Sequence, residues 1–189
     1  AGEDYLAQAT GGGSRQIEIA AARGEIVDRY AEPLVQNQMG FNVVFDAGSM
    51  VRGQLNNYIL RLTELFSRQG ESWNDSLPIE VVSGEYQFTE GSDSAVSRLK
   101  RVLGIADYAT AADALAWLID DNDIDADNLT MEEVRTIAGV RYEMTLKDYS
   151  VANPYTFAED ITMTTAILIT EQSHEMPGVL VMETPIRSY

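Results

Sequence analysis

The chain has 189 residues, enough for one domain with a sizeable core, and 45% of them are hydrophobic. Lys and Arg number 13 against 30 Asp and Glu, and the net charge of −17 disfavours nucleic acid and anionic membranes while leaving basic partners or divalent cations open. The absence of cysteine excludes disulfides, thiolate metal sites and Cys nucleophiles, and no apolar run nears the roughly 18 residues of a membrane span.

"GGGS" at residues 11–14 is a flexible break, after which regular structure is expected. "RQIEIAAARGEIVD", residues 15–28, alternates as a strand with Ile17, Ile19 and Ala21 on one face. "EIVDRYAEPLV" then reads as a hairpin. Ile26 and Val27 lead in, the turn falls near residues 30–33, and Leu34 and Val35 lead out. "FNVVFDAG", residues 41–48, offers another strand with Phe41, Val43 and Phe45 on one face.

From residue 50 to 69, Leu55, Ile59, Leu62, Leu65 and Phe66 recur at helical spacing, and Gly70 suits a left-handed cap. Shorter helices are predicted over 92–103, closed by Gly104, and over 110–119. A fourth starts at Thr130, where Thr130-x-x-Glu133 has capping-box form. Strand character returns in "RYEMTLKDYSV" (141–151) and in "AEDITMTTAILITE" (158–171), although the Ala and Met residues of the second also allow a helix. "GVLVMETPIRSY" (178–189) ends the chain as strand. This order predicts an α+β fold: a β-rich base from both chain ends, residues 1–48 and 140–189, with a helical lobe of residues 49–139 inserted in it.

Four features invite a chemical reading. "DNDIDADNLTME", residues 121–132, places Asp121, Asp123, Asp125, Asp127 and Glu132 at positions 1, 3, 5, 7 and 12 of a calcium loop. Position 6, which needs glycine, is Ala126, and the normally apolar position 8 is Asn128, so an acidic linker that caps the next helix explains the run better. "SRLK", residues 97–100, matches S-x-x-K, but no K-T-G strand accompanies it: the two lysines, Lys100 and Lys147, precede Arg101 and Asp148. His174 is the sole histidine, which argues against zinc or acid–base work. Trp73, Trp117 and the methionines read as packing residues. No catalytic centre and no cofactor site are expected.

Two segments carry a family resemblance. "RGEIVDRYAEPLVQN", residues 23–37, resembles the R-G-x-I-x-D-R-N-G-x-x-L-A-x-N signature that opens the non-catalytic dimerisation, or pedestal, module of class B penicillin-binding proteins. Arg23, Gly24, Ile26, Asp28, Arg29, Leu34 and Asn37 match; Tyr30 and Ala31 stand where the family prefers Asn-Gly. "HEMPGVLVMETPIRSY", residues 174–189, is similar to the family's L-P-G-V-x-V…P-x-R-x-Y-P link to the transpeptidase domain, through Pro177, Gly178, Val179, Val181, Arg187 and Tyr189. "NPYTFAEDITMTTAILITEQ" resembles the stretch leading into that link. "LNNYILRLTELFSRQGESWNDSLPIEV" and "EEVRTIAGVRYEM" resemble elongation-type members from Gram-positive bacteria.

The resemblance implies a pedestal cut from a membrane-anchored D,D-transpeptidase of cell-wall peptidoglycan that is acylated by penicillin and works in cell-shape maintenance. The implied place is the extracytoplasmic face of the membrane, with an N-terminal transmembrane helix upstream of this chain and the chain's own transpeptidase domain downstream. Implied partners are a SEDS-class glycosyltransferase and elongation scaffold proteins, with the helical lobe as the contact surface. A homodimer is left open. The matched charges are expected to be architectural, Asp28 pairing with Arg23, Arg29 or Arg187 to register the first and last strands, with Gly24 allowing close backbone approach. Unchanged thermal stability of Asp28→Asn would remove that role. The competing reading, from Asp121, Asp123, Asp125 and Glu132, is an acidic extracellular calcium-binding or adhesion module.

Overall fold

Helix ends in this chain are set by short local signals, and most act where the sequence places them. The computed structural model describes Ile26, Val27 and residues 33–188. Helix α1, Leu55–Gln69, buries Leu55, Tyr58, Ile59, Leu62 and Phe66, the spacing of one helical face, and stops at Gly70 with φ 72°. Its start is later than expected, because Gly53 at φ 73° turns the chain just before it. Helix α2, Asp93–Leu103, ends at Gly104 with φ 67°. Helices α3, Ala111–Asp121, and α4, Met131–Leu146, both open with complete capping boxes, Thr110 with Asp113 and Thr130 with Glu133.

Two expected strands are corrected. Residues 141–151 are not a strand, since α4 runs on through Tyr142 and Met144 to Leu146. Val134, Ile137, Ala138, Val140, Tyr142 and Met144 are all buried, so apolar residues face several directions, and their spacing passes for alternation. The run 158–171 splits: strand β5, Tyr155–Ile161, ends at Thr162, which caps helix α5, Met163–Glu171. An element the sequence reading passed over is the hairpin of β3, Ile79–Val82, and β4, Glu85–Phe88. Its turn residues Ser83 and Gly84 have φ 54° and 79°, the positive pair a tight hairpin requires.

The expected N-terminal hairpin is present as β1, Ile26–Val27, against β2, Pro33–Phe45, with Ile26 opposite Val35 and Val27 opposite Pro33. The expected strand over residues 15–25 lies outside the described residues. In the main sheet β2 lies between β1 and β5, and β6, Val179–Ser188, also pairs with β2. The architecture is α+β, as expected. The chain divides into two compact units, residues 1–39 with 184–189, and Gly40–Glu183.

In the larger unit one cluster of buried residues joins the strands to the helices. Phe45 stacks on Phe157 at 5.2 Å between ring centres, Phe66 meets Phe157 edge-on at 5.2 Å, and Trp73 stacks on it at 6.3 Å. Trp73 therefore serves as the packing residue expected, whereas Met163 is 65% exposed.

Candidate functional site

The segment that resembles the link to a following domain is fixed by a glycine. Gly178 has φ 92°, a backbone state L side chains rarely adopt. A Cβ there would lie 2.8 Å from both Cα and N of Met50 and 3.0 Å from the Asp46 carbonyl. This close approach lets the Asp46 amide donate to the Gly178 carbonyl at 2.7 Å. Asp46 closes its own turn by accepting from the Gly48 amide at 3.2 Å and the Ser49 hydroxyl at 2.9 Å. Met176 and Val179 are buried on either side. Strand β6 thus leaves from a point locked to the end of β2.

A second junction ties residues 74–79 to α4. Arg135 pairs with the Asp75 carboxylate and donates at 2.7 Å to each of the Leu77 and Ile79 carbonyls. Asp75 also accepts from the Leu77 amide at 3.1 Å. One turn on from Arg135, Gly139 leaves the space that Asp75 fills, since a Cβ there would sit 2.6 Å from the carboxylate. Ser76 donates to the buried Glu143 on the same helix. Beside these groups lies a polar cleft of about 440 Å³ that also takes in Lys147, Asn153 and Tyr155. Burial, with the charges of Glu143 and Asp75 nearby, raises the Tyr155 phenol well above its ordinary value.

Glu71 caps α5 from 91 residues away in sequence, accepting from the Thr162 amide at 2.9 Å and the Thr162 hydroxyl at 2.8 Å. The Thr165 hydroxyl adds a third bond at 2.9 Å. Burial pushes this carboxyl up, but the hydrogen bonds from Thr162 and Thr165 outweigh it and hold it below its ordinary value of 4.5. A lowered folded value means the stabilisation is present above about pH 4.5 and is lost as the pH falls through the folded value. Glu71→Gln should therefore cost about 1 kcal/mol at neutral pH. In thermal melts its deficit against the parent chain should close on acidification; a deficit equally large in acid would remove the charge from the explanation.

Pro177 and Gly178 lie in the locked turn. Arg23, Gly24, Asp28 and Arg29 lie outside the described residues, as does the side chain of Arg187. Of the calcium-loop candidates, Asp121 ends α3, Asp123 has φ 49°, Asp125 accepts from Asn128 at 2.8 Å, and Glu132 lies in the first turn of α4. Among the described residues no three His, Cys, Asp or Glu side chains gather as a metal site. Asp121 and Asp123 instead face Arg141, whose guanidinium burial pulls down from its ordinary value while Tyr149, Asp123 and Asp121 support its charge. Arg141 donates to Asn56 at 2.8 Å, and Asn56 in turn donates to the Asn122 and Asp123 carbonyls.

Lys100 donates to the Asp107 carbonyl at 2.5 Å and sits 5.1 Å from the Phe88 ring centre, away from an S-x-x-K role. His174 is exposed, its Nδ1 donating to the Glu171 carbonyl at 3.2 Å. The sequence reading missed Glu71, Asp75, Arg135 and Glu143. Arg135 and Gly139, four apart on one helix face, were the available signal for a side chain entering from outside.

The family model for the penicillin-binding protein dimerisation domain matches residues 18–189. The chain belongs to that family, a non-catalytic part of penicillin-binding proteins. Among solved structures it is similar to penicillin-binding protein 2B of Streptococcus pneumoniae strain 5204, at 16% identity and a TM-score of 0.37, and strain R6, at 17% and 0.40. Each match covers 91% of this chain and 26% of the other, so the chain spans about a quarter of those proteins. No curated protein matches.

Proposed function

We propose that this chain is the extracytoplasmic pedestal of a class B penicillin-binding protein of the elongation type, from a Gram-positive bacterium. In this reading it stands between an N-terminal membrane anchor and a serine-type D,D-transpeptidase domain. It holds that domain away from the membrane and docks a SEDS-class glycosyltransferase with elongation scaffold proteins. Residues 1–48 and 140–189 act as the base and 49–139 as the lobe. The observation that carries the reading is the family match, which runs through both terminal signatures, Arg23 to Asn37 and Pro177 to Arg187. Among the described residues no helix is long and apolar enough to cross a membrane.

The encoding locus tests it. A hydrophobic anchor upstream of Ala1 and S-x-x-K, S-x-N and K-T-G motifs downstream of Tyr189 are expected. A fluorescent penicillin should label the full-length product and not the 189-residue chain. A reading frame that begins near Ala1 and ends near Tyr189 would overturn the proposal.

A further inference from the structure

Helix α5 has the sequence MTTAILITE, whose one charged residue, Glu171, stands at its end. Thr165, Ala166 and Ile169 are buried against the body, while Met163 and Ile167, one turn apart, are 65% and 51% exposed. They border a groove of about 390 Å³ whose other wall is Phe41 of β2 and Val181 of β6. An exposed apolar helix edge along an apolar groove is the usual mark of an interaction surface. Among the described residues its charged lining is Glu171 and Glu183, with no Lys or Arg, on a chain of net charge −17. A second copy would set the same glutamates against each other, and an anionic membrane would be repelled in the same way.

We propose that the α5 groove docks a basic amphipathic helix of another protein, with apolar residues at i, i+4 and i+7 between Met163, Ile167, Phe41 and Val181. The partner's Lys or Arg side chains meet Glu171 and Glu183. This moves docking from the helices of residues 49–139, where the sequence pointed, to α5. The inference rests on the docking role proposed above and names its surface.

The test titrates the 189-residue chain with a synthetic Leu/Lys amphipathic helix and its Leu/Glu counterpart, read by fluorescence anisotropy at physiological salt. The Leu/Lys helix should bind, and Ile167→Ser or Met163→Ser should weaken it about tenfold. Tyr108→Ser, at a side chain 91% exposed in the turn between α2 and α3, should leave binding unchanged. Equal binding by the Leu/Glu helix would overturn the proposal, as would self-association of the chain that Ile167→Ser abolishes. Leu/Lys binding that neither Ser variant weakens would also overturn the groove, while leaving a docking role on another face intact.

Discussion

Gly178→Ala is expected to destabilise the chain by about 2–5 kcal/mol, the sum of left-handed backbone strain and the clash with main-chain atoms. At φ 92° any L residue is strained, and the new Cβ would meet Met50 Cα and N at 2.8 Å. Neither atom is the mobile end of a side chain, so the turn of residues 46–50 must move. Movement would break the 2.7 Å bond from the Asp46 amide to the Gly178 carbonyl. Gly70→Ala is the control: its φ is 72°, but no atom lies within 4 Å of the added Cβ. That variant should lose only about 1–2 kcal/mol. Equal losses for the two in denaturant melts would show that the close approach contributes nothing.

The second large effect should reverse its sign with background. Gly139→Ala improves helix propensity by about 1 kcal/mol in isolation. Here its Cβ would displace the Asp75 carboxylate, 2.6 Å away, from Arg135 and the Leu77 amide. Breaking a largely buried pair costs about 3–5 kcal/mol, and the 17–19% exposure of these side chains points to the lower end. The net expectation is a loss of about 2 kcal/mol for Gly139→Ala in the parent chain. With Asp75→Ala already in place the obstacle is gone, and the same change should stabilise by up to about 1 kcal/mol. A double-mutant cycle measures the difference directly. A stabilising Gly139→Ala in the parent chain would mean that Asp75 does not occupy that space.

How legible the fold was depended on where each determinant lay. Capping boxes, left-handed glycine caps and one-sided helices are written within a few residues, and Thr130, Gly70, Gly104 and α1 were readable for that reason. Helix α4 was misread past Gly139 because it is packed on several sides and loses the single apolar stripe that marks a helix. The β3–β4 hairpin carries a local signal, Ser83-Gly84 between alternating residues. The chain-end junction was legible at Pro177 and Gly178 only through the family resemblance. Its physical content, Gly178 against Met50, joins residues too far apart for any local pattern. The same holds for Asp75 with Arg135 and for Glu71 with Thr162.

The cap that Glu71 provides bears on how the chain reaches its native state. A nine-residue helix is too short to persist alone in water, and the bonds that Glu71 adds to its capping Thr162 form only when the end of α1 arrives. Until then "ITMTTAILIT" is an uncharged, β-competent run without proline. The ambiguity that made it read as a strand is therefore a property of the unfolded chain itself. Early in refolding this run should pair with its counterparts on other molecules, and aggregation should rise with protein concentration. Pulse-labelled hydrogen exchange should find the α5 amides among the last protected, and Glu71→Gln should lengthen that window.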